Sequence, residues 1–216
     1  MGRSKVEKNT ATVLKDAESV LSRPVGRDFS MQGALPDQAP YGLVHSELRR
    51  AADRALTAGE RGRALENAAA YAFSAVPGCE VRGRRTIDPW QSAEIDLLVG
   101  NRKREDGLFY LPEIILVECK SSVHPVPVPD VRDFAFKVKH RDLKLGILIV
   151  AAGATGARDR RSAAHHTAAI AAALGTRILL VTTRELMAIS TAGEFVELLH
   201  EKYFQLAASG TFGADG

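Results

Sequence analysis

The stretch IILVECK, Ile114–Lys120, is apolar on every residue up to Val117 and then turns abruptly charged. Successive side chains of a strand point to opposite faces. Ile114, Leu116, Glu118 and Lys120 therefore share one face, and Ile115, Val117 and Cys119 share the other. Apolar residues on both faces mark a strand covered on two sides by other layers. A carboxylate and an ammonium on such a strand must be paired, metal-bound or at a cleft, because isolating a charge from water is costly.

A second run lies upstream. Residues 93–99 read AEIDLLV, and Asp96 interrupts Ile95, Leu97, Leu98 and Val99 on the face shared with Glu94 and Leu98. A charged turn over residues 101–107 separates this run from the apolar run 111–120, and two such runs around a short polar segment predict a β-hairpin. As hairpin neighbours, Asp96 and Glu118 come together on one sheet face. Two carboxylates held close repel each other, and a divalent cation resolves the repulsion. A few hard oxygen ligands, with the other positions left to water and substrate, suit magnesium. Lys120 can orient or help deprotonate a water and stabilise charge developing on a phosphate. A Mg²⁺ site beside a lysine is equipment for phosphodiester hydrolysis.

The remaining chain supplies layers for this sheet. Residues 43–57 and 60–76 are rich in Ala, Leu, Arg and Glu and predict helices, the second stopped by Pro77-Gly78. Glu66 sits at the edge of that second helix's apolar stripe. Residues 79–85 predict a short basic strand. Residues 124–130 (HPVPVPD) carry three prolines and exclude an interior strand, and Asp130 is the expected cap of a helix over 131–141. A buried-type strand follows at 144–151, then a glycine-containing loop at 153–156 and an Ala-rich helix over 157–174 that ends at Gly175. Residues 177–182 predict a last buried strand, and 183–189 and 193–207 predict terminal helices. An antiparallel hairpin followed by alternating helices and strands makes an α/β fold, a mixed β-sheet flanked by helices. The expected domain covers residues 43–207. Residues 1–42 read as an arm, with sparse helical signal over 5–22 and a Pro- and Gly-containing stretch over 24–41, and 208–216 as a flexible tail.

Composition bounds the function less sharply. The 216 residues are 45% hydrophobic and 25% charged, ordinary for a globular protein, with a net charge of +3. Cys79 and Cys119 lack the number and spacing of a disulfide framework or zinc site. The polar N-terminus has no apolar signal segment and no apolar run reaches membrane-spanning length, so a cytoplasmic protein without a membrane partner is expected. Basic residues cluster at 82, 84 and 85, at 102–104, at 137–141 and at 158–161. Such groups at element ends suit phosphate contacts, although each also reads as a solvated surface.

The helix with Glu66, the EIDLLV run with Asp96 and the ILVECK run with Glu118 and Lys120 together resemble the PD-(D/E)xK nuclease superfamily. That superfamily includes the restriction endonuclease-like, Mrr-like and Holliday junction resolvase-like proteins. The resemblance covers roughly residues 64–182 and implies a restriction endonuclease-like αβββαβ core, here with an extra αβ unit. It implies a metal-dependent nuclease acting on nucleic acid, most simply a DNA endonuclease. Asp96 and Glu118 would bind Mg²⁺, with Mn²⁺ as a substitute, and the backbone carbonyl of Cys119 often contributes in such sites. Lys120 would position the attacking water, and Glu66 would match the acidic residue that the first core helix often supplies. Members often place a polar residue on the next helix, for which Lys137 and Lys139 are the candidates; Arg84 and Arg85 join them as candidate nucleic-acid contacts. The literal Pro-Asp pair is absent, since Ile95 precedes Asp96.

Blander readings stand beside these. Glu118 and Lys120 could be a simple ion pair where a strand meets solvent, and Glu66 a solvated helix residue. Glu94 and Glu113 sit at strand entrances and fit surface roles. Asp88-Pro89 lacks an apolar strand and reads as a turn, and His165-His166 read as helix surface. A catalytically silent nuclease-fold protein that binds DNA or a partner protein is the alternative function. The arm over residues 1–42 is the expected place for self-association or a partner protein.

Overall fold

The computed structural model describes residues 40–87, 94–122, 124, 126–151 and 175–209. The expectations for residues 1–39 of the arm, for Asp88, for the 157–174 helix with His165-His166, for the arginines at 158–161 and for the tail beyond 209 lie outside the described residues. Residues 40–42, expected to belong to the arm, are already helical, with Tyr41 buried in the core.

Helix α1 spans Pro40–Ala52 and α2 spans Ala58–Ser74. Pro40 opens α1, a position where the missing N–H deprives the helix of nothing. The helix stops earlier than the expected residue 57 because Asp53 folds a turn, its carboxylate accepting the Ala55 N–H at 2.9 Å. Thr57 then caps α2: its hydroxyl accepts the Glu60 N–H at 3.3 Å while the Glu60 carboxylate accepts the Thr57 N–H at 2.8 Å.

The sheet has five strands: β1 Cys79–Ile87, β2 Glu94–Asn101, β3 Ile114–Lys120, β4 Leu145–Val150 and β5 Arg177–Thr182, paired in that order. The pairs β1–β2 and β2–β3 are antiparallel, and β3–β4 and β4–β5 are parallel. The expected hairpin is therefore present, within a mixed α/β sheet. β3 begins at Ile114 instead of residue 111. The buried Asn101 side-chain amide donates to the carbonyls of Leu108, Leu111 and Pro112 at 2.7, 3.1 and 3.2 Å, folding the connection back so that Leu108 and Leu111 enter the core as loop residues.

Helix α3 spans Val128–His140, α4 Thr183–Ala188 and α5 Ala192–Ser209. Asp130 falls in the first turn of α3 and is not its cap. Pro127 holds the cap position and Pro129 lies in the first turn, so the helix start has fewer N–H groups to satisfy.

Helices α1, α2, α4 and α5 cover one sheet face, packing Leu65, Phe73 and Phe195 against Leu97, Val117, Ile147 and Val181. On the other face Val131, Phe134 and Val138 of α3 pack against Leu116, Leu148 and Ile178. Gly146 allows that second contact to be close: a Cβ there would stand 2.7 Å from Val138 and 2.8 Å from the Phe134 ring. Among the described residues no helix is long and apolar enough to cross a membrane.

Candidate active site

Glu118 occupies the face of β3 that α3 covers, and it is buried. Two ammonium groups meet it. Lys120 Nζ lies 2.9 Å from one carboxylate oxygen, and Lys137 Nζ reaches both oxygens at 3.1 and 2.9 Å. Lys120 comes from the same strand face two residues on, while Lys137 descends from the third turn of α3. Burial alone would lower the Lys120 pKa, but the Glu118 hydrogen bond and charge, with Asp130 and Asp96, raise it above its ordinary value. Lys120 is thus an ammonium at neutral pH.

Asp96 joins from β2 by a route that alternation alone does not give. The β2–β3 pairing ends at Leu97 opposite Val117. Where that pairing stops, the Cys119 N–H donates to the Asp96 carboxylate at 2.7 Å. The side chain thereby satisfies a strand N–H that would otherwise lack its ladder partner. Burial pushes the Asp96 carboxyl up to about 6; the Cys119 amide opposes this, and the charges of Glu118 and Glu66 add to it. Asp96 and Glu118 are thus electrostatic neighbours.

Glu66 is buried on α2, and its charge is felt at Asp96. That burial departs from the solvated-residue alternative. Helix α2 approaches from one side of the sheet and α3 from the other, so acids and lysines converge where β2 and β3 part. Among the described residues, no three His, Cys, Asp or Glu side chains stand close enough to form a ready-made cation cage. The donor chemistry nevertheless fits a hard cation. Glu118 already gathers two positive groups, and Asp96 holds its proton more tightly because burial desolvates it and, to a lesser degree, because the charges of Glu118 and Glu66 act on it. Asp96 and Glu118, with Glu66 nearby, are the residues that could hold one.

The other expected contacts divide. Lys137 is drawn into the site, whereas Lys139 is exposed on α3, where its charge acts on Asp142. Arg84 and Arg85 belong to β1 by backbone, with Arg84 opposite Leu97, and their side chains lie outside the described set. The basic group 102–104 does not line this site. It follows the end of β2 that pairs with the start of β3, the strand end opposite Lys120, and its members pair locally: Arg102 with Glu80, Lys103 with Glu113 and Arg104 with Asp106. Arg82 likewise pairs with Glu80 at 2.6 Å. Asp130 was missed as a site residue: the start of α3 brings its charge to Lys120. Arg54, Arg61 and Ser121 were also missed, and they line a cleft beside Lys120 together with Thr183. The order of elements offers one clue to Asp130, since a helix crossing between parallel strands starts near the C-terminal end of the first.

The family model Mrr_cat, described as restriction endonuclease, matches residues 61–190. No curated protein and no solved structure matches the chain. The match spans more than half of the sequence and takes in the five described strands, α2 from Arg61 onward with Glu66, and the α3 helix with Lys137. With a mixed sheet that sets Asp96 beside Glu118 and Lys120, and with α2 bringing the charge of Glu66 to Asp96, the chain belongs to the Mrr_cat restriction endonuclease family, within the PD-(D/E)xK superfamily.

Proposed function

We propose that this protein is a divalent-metal-dependent DNA endonuclease whose active residues are Asp96, Glu118 and Lys120, with Glu66 as the flanking acid. The observation that carries the reading is the buried Glu118, bound by two lysines and coupled to a second, half-buried acid on the neighbouring strand. Asp96 and Glu118 would hold Mg²⁺ or Mn²⁺, which when bound supplies positive charge to a phosphodiester and acidity to a water. Lys120, an ammonium beside Glu118, orients the attacking water and stabilises the negative charge that builds on the phosphoryl oxygens. Glu66 adds negative charge on the α2 side and keeps the site selective for cations. Lys137 has its ammonium at the same carboxylate and is placed to meet the strand's phosphate once Glu118 is otherwise engaged. The domain reading is one nuclease unit over residues 43–207, with the arm available for self-association or a partner protein.

The test uses a covalently closed DNA circle, an RNA strand and Mg²⁺ or Mn²⁺, with wild type, Asp96→Asn, Glu118→Gln and Lys120→Ala side by side. Nicking of the circle by wild type alone is expected. Equal nicking by all four proteins removes the site assignment, and cutting of RNA alone removes the DNA reading. The two ammoniums already seated on Glu118 favour one second reading, a silent nuclease fold that binds DNA without cutting. It predicts salt-sensitive binding and an intact circle under every metal.

A further inference from the structure

A cleft of about 530 Å³ opens where the C-terminal ends of β3 and β4 meet α1 and α2. Ser121, the residue after Lys120, lines it together with Thr183, Arg54 and Arg61. The first turns of α2 lie directly over this strand end, since a Cβ on Gly62 would stand 3.8 Å from Ser121 Oγ. Among the described residues, no acidic side chain lines it. Leu48, Ala51 and Ala52 of α1 form an apolar wall opposite the polar group.

Arg61 is held in an unusual way. One guanidinium nitrogen, Nη1, donates to the Leu56 carbonyl at 2.6 Å, which fixes the side chain. Its Nε is buried and has no hydrogen-bond partner. Four buried side-chain atoms lack a partner among the described residues, and Arg61 Nε alone belongs to a residue of this cleft. Buried donors are nearly always satisfied, so the enclosed, unmet Nε marks Arg61 as a guanidinium short of acceptors, and its place in the cleft wall beside a second arginine and two hydroxyls suits an acceptor that comes from outside. A guanidinium fork matches the oxygens of a phosphate better than any neutral acceptor. The volume suits a single nucleotide and is too small for a duplex.

We propose that this cleft is a phosphate subsite, in which Arg61 and Arg54 grip one phosphate of the nucleic-acid strand while its nucleoside rests on the α1 wall. The proposal deepens the nuclease reading and rests on it for the nature of the ligand. Ser121 ties the subsite to the reacting centre, being the next residue along from Lys120. A phosphate held here fixes which bond of the strand lies over Glu118. The phosphate is either a strand terminus or an internal diester, and the chemistry of recognition is the same for both.

The test is calorimetry in EDTA at fixed salt, where nothing is cut. The probes are one single-stranded octamer in three forms: with a 5′-phosphate, with a 3′-phosphate, and with hydroxyls at both ends. The proteins are wild type, Arg54→Gln, Arg61→Lys and the control Arg132→Gln, an exposed arginine of α3 on the other sheet face. Arg61→Lys keeps the charge but loses the planar fork, and circular dichroism melts verify that each variant is folded. About a tenfold loss of affinity in both cleft variants is expected, with little change in the control. A preference for one phosphorylated end makes a terminus the source, while equal binding of all three forms makes it an internal diester; both outcomes keep the subsite. Absent binding, or cleft variants that lose no more than Arg132→Gln, overturns it. A protein that binds in this pattern yet never nicks DNA keeps the subsite and loses the catalytic reading, so the two failures are separable.

Discussion

Asp96 and Glu118 are neighbouring acids held in opposite ways, and their neutral variants should move stability in opposite directions. Burial and two neighbouring carboxylates raise the Asp96 pKa from 3.8 to about 6. The folded state therefore binds a proton that the unfolded state has released between those values, and stability falls as pH rises from about 4 to about 6. Above about 6 the penalty is fully present. Asp96→Asn, whose amide oxygen can still accept the Cys119 N–H, should stabilise the metal-free protein at pH 7.5 by up to about 3 kcal/mol and give no gain at pH 4. Urea unfolding at the two pH values measures this, and an equal effect at both would contradict the assignment of the shift to Asp96. Glu118→Gln leaves Lys120 and Lys137 facing a neutral amide, and should destabilise by about 2 kcal/mol because those lysines are only partly buried. If these two acids hold the cation, Mn²⁺ should raise the melting temperature of wild type and of neither variant, and EDTA should reverse the rise. The affinity for Mn²⁺ should fall as pH drops below about 6, since Asp96 must be ionised to serve as a ligand. At this scale the sequence showed each charge as an exception in an apolar strand. It did not show that Asp96 would meet the Cys119 amide, because that depends on where the ladder between two strands ends.

Elements place those residues through a few close contacts. α3 carries Lys137 to Glu118 only because Gly146 lets the helix lie against β4. Gly146→Ala should cost about 1–3 kcal/mol, since the Phe134 ring and the Val138 methyl are buried and have nowhere to move. It should also weaken nicking by lifting Lys137, whereas loss of stability with unchanged nicking would show that Lys137 does not serve the site. At the far end of β3, Asn101→Asp replaces an amide that donates to three carbonyls with a carboxylate that repels them. A loss of about 2–3 kcal/mol in chemical denaturation is expected there. Strand β5 and the hairpin were legible from apolar runs. The end of α1 and the starts of β3 and α3 were not, because Asp53, Asn101 and the prolines around Val128 set those limits through specific hydrogen bonds or the lack of a donor.

At the scale of the whole molecule, the family match covers residues 61–190, yet α1 and α5 lie outside it and still bury Leu48 and Phe195 in the main core. Phe195 meets Phe73 edge-on at 5.1 Å, and Lys202 pairs with Glu185 at 2.7 Å, so α5 closes over α2 and is tied to α4. Phe195→Ala should lower stability by about 3–5 kcal/mol, read from denaturant unfolding; a loss below about 1 kcal/mol would mean that α5 packs only loosely. The sequence by itself determined the α/β class and the antiparallel hairpin and singled out Asp96 and Glu118 as candidates, because alternation and helical spacing are local properties that a misplaced charge exposes; the candidate roles of Lys120 and Glu66 came from the family resemblance. Only the tertiary structure decided which lysine of α3 meets Glu118, that Asp130 acts on Lys120, that residues 102–104 pair locally at the far end of the sheet, and that Arg54, Arg61 and Ser121 share a cleft. Those outcomes depend on how close two layers pack and which strand end faces which helix, and these follow from contacts between residues far apart in the chain.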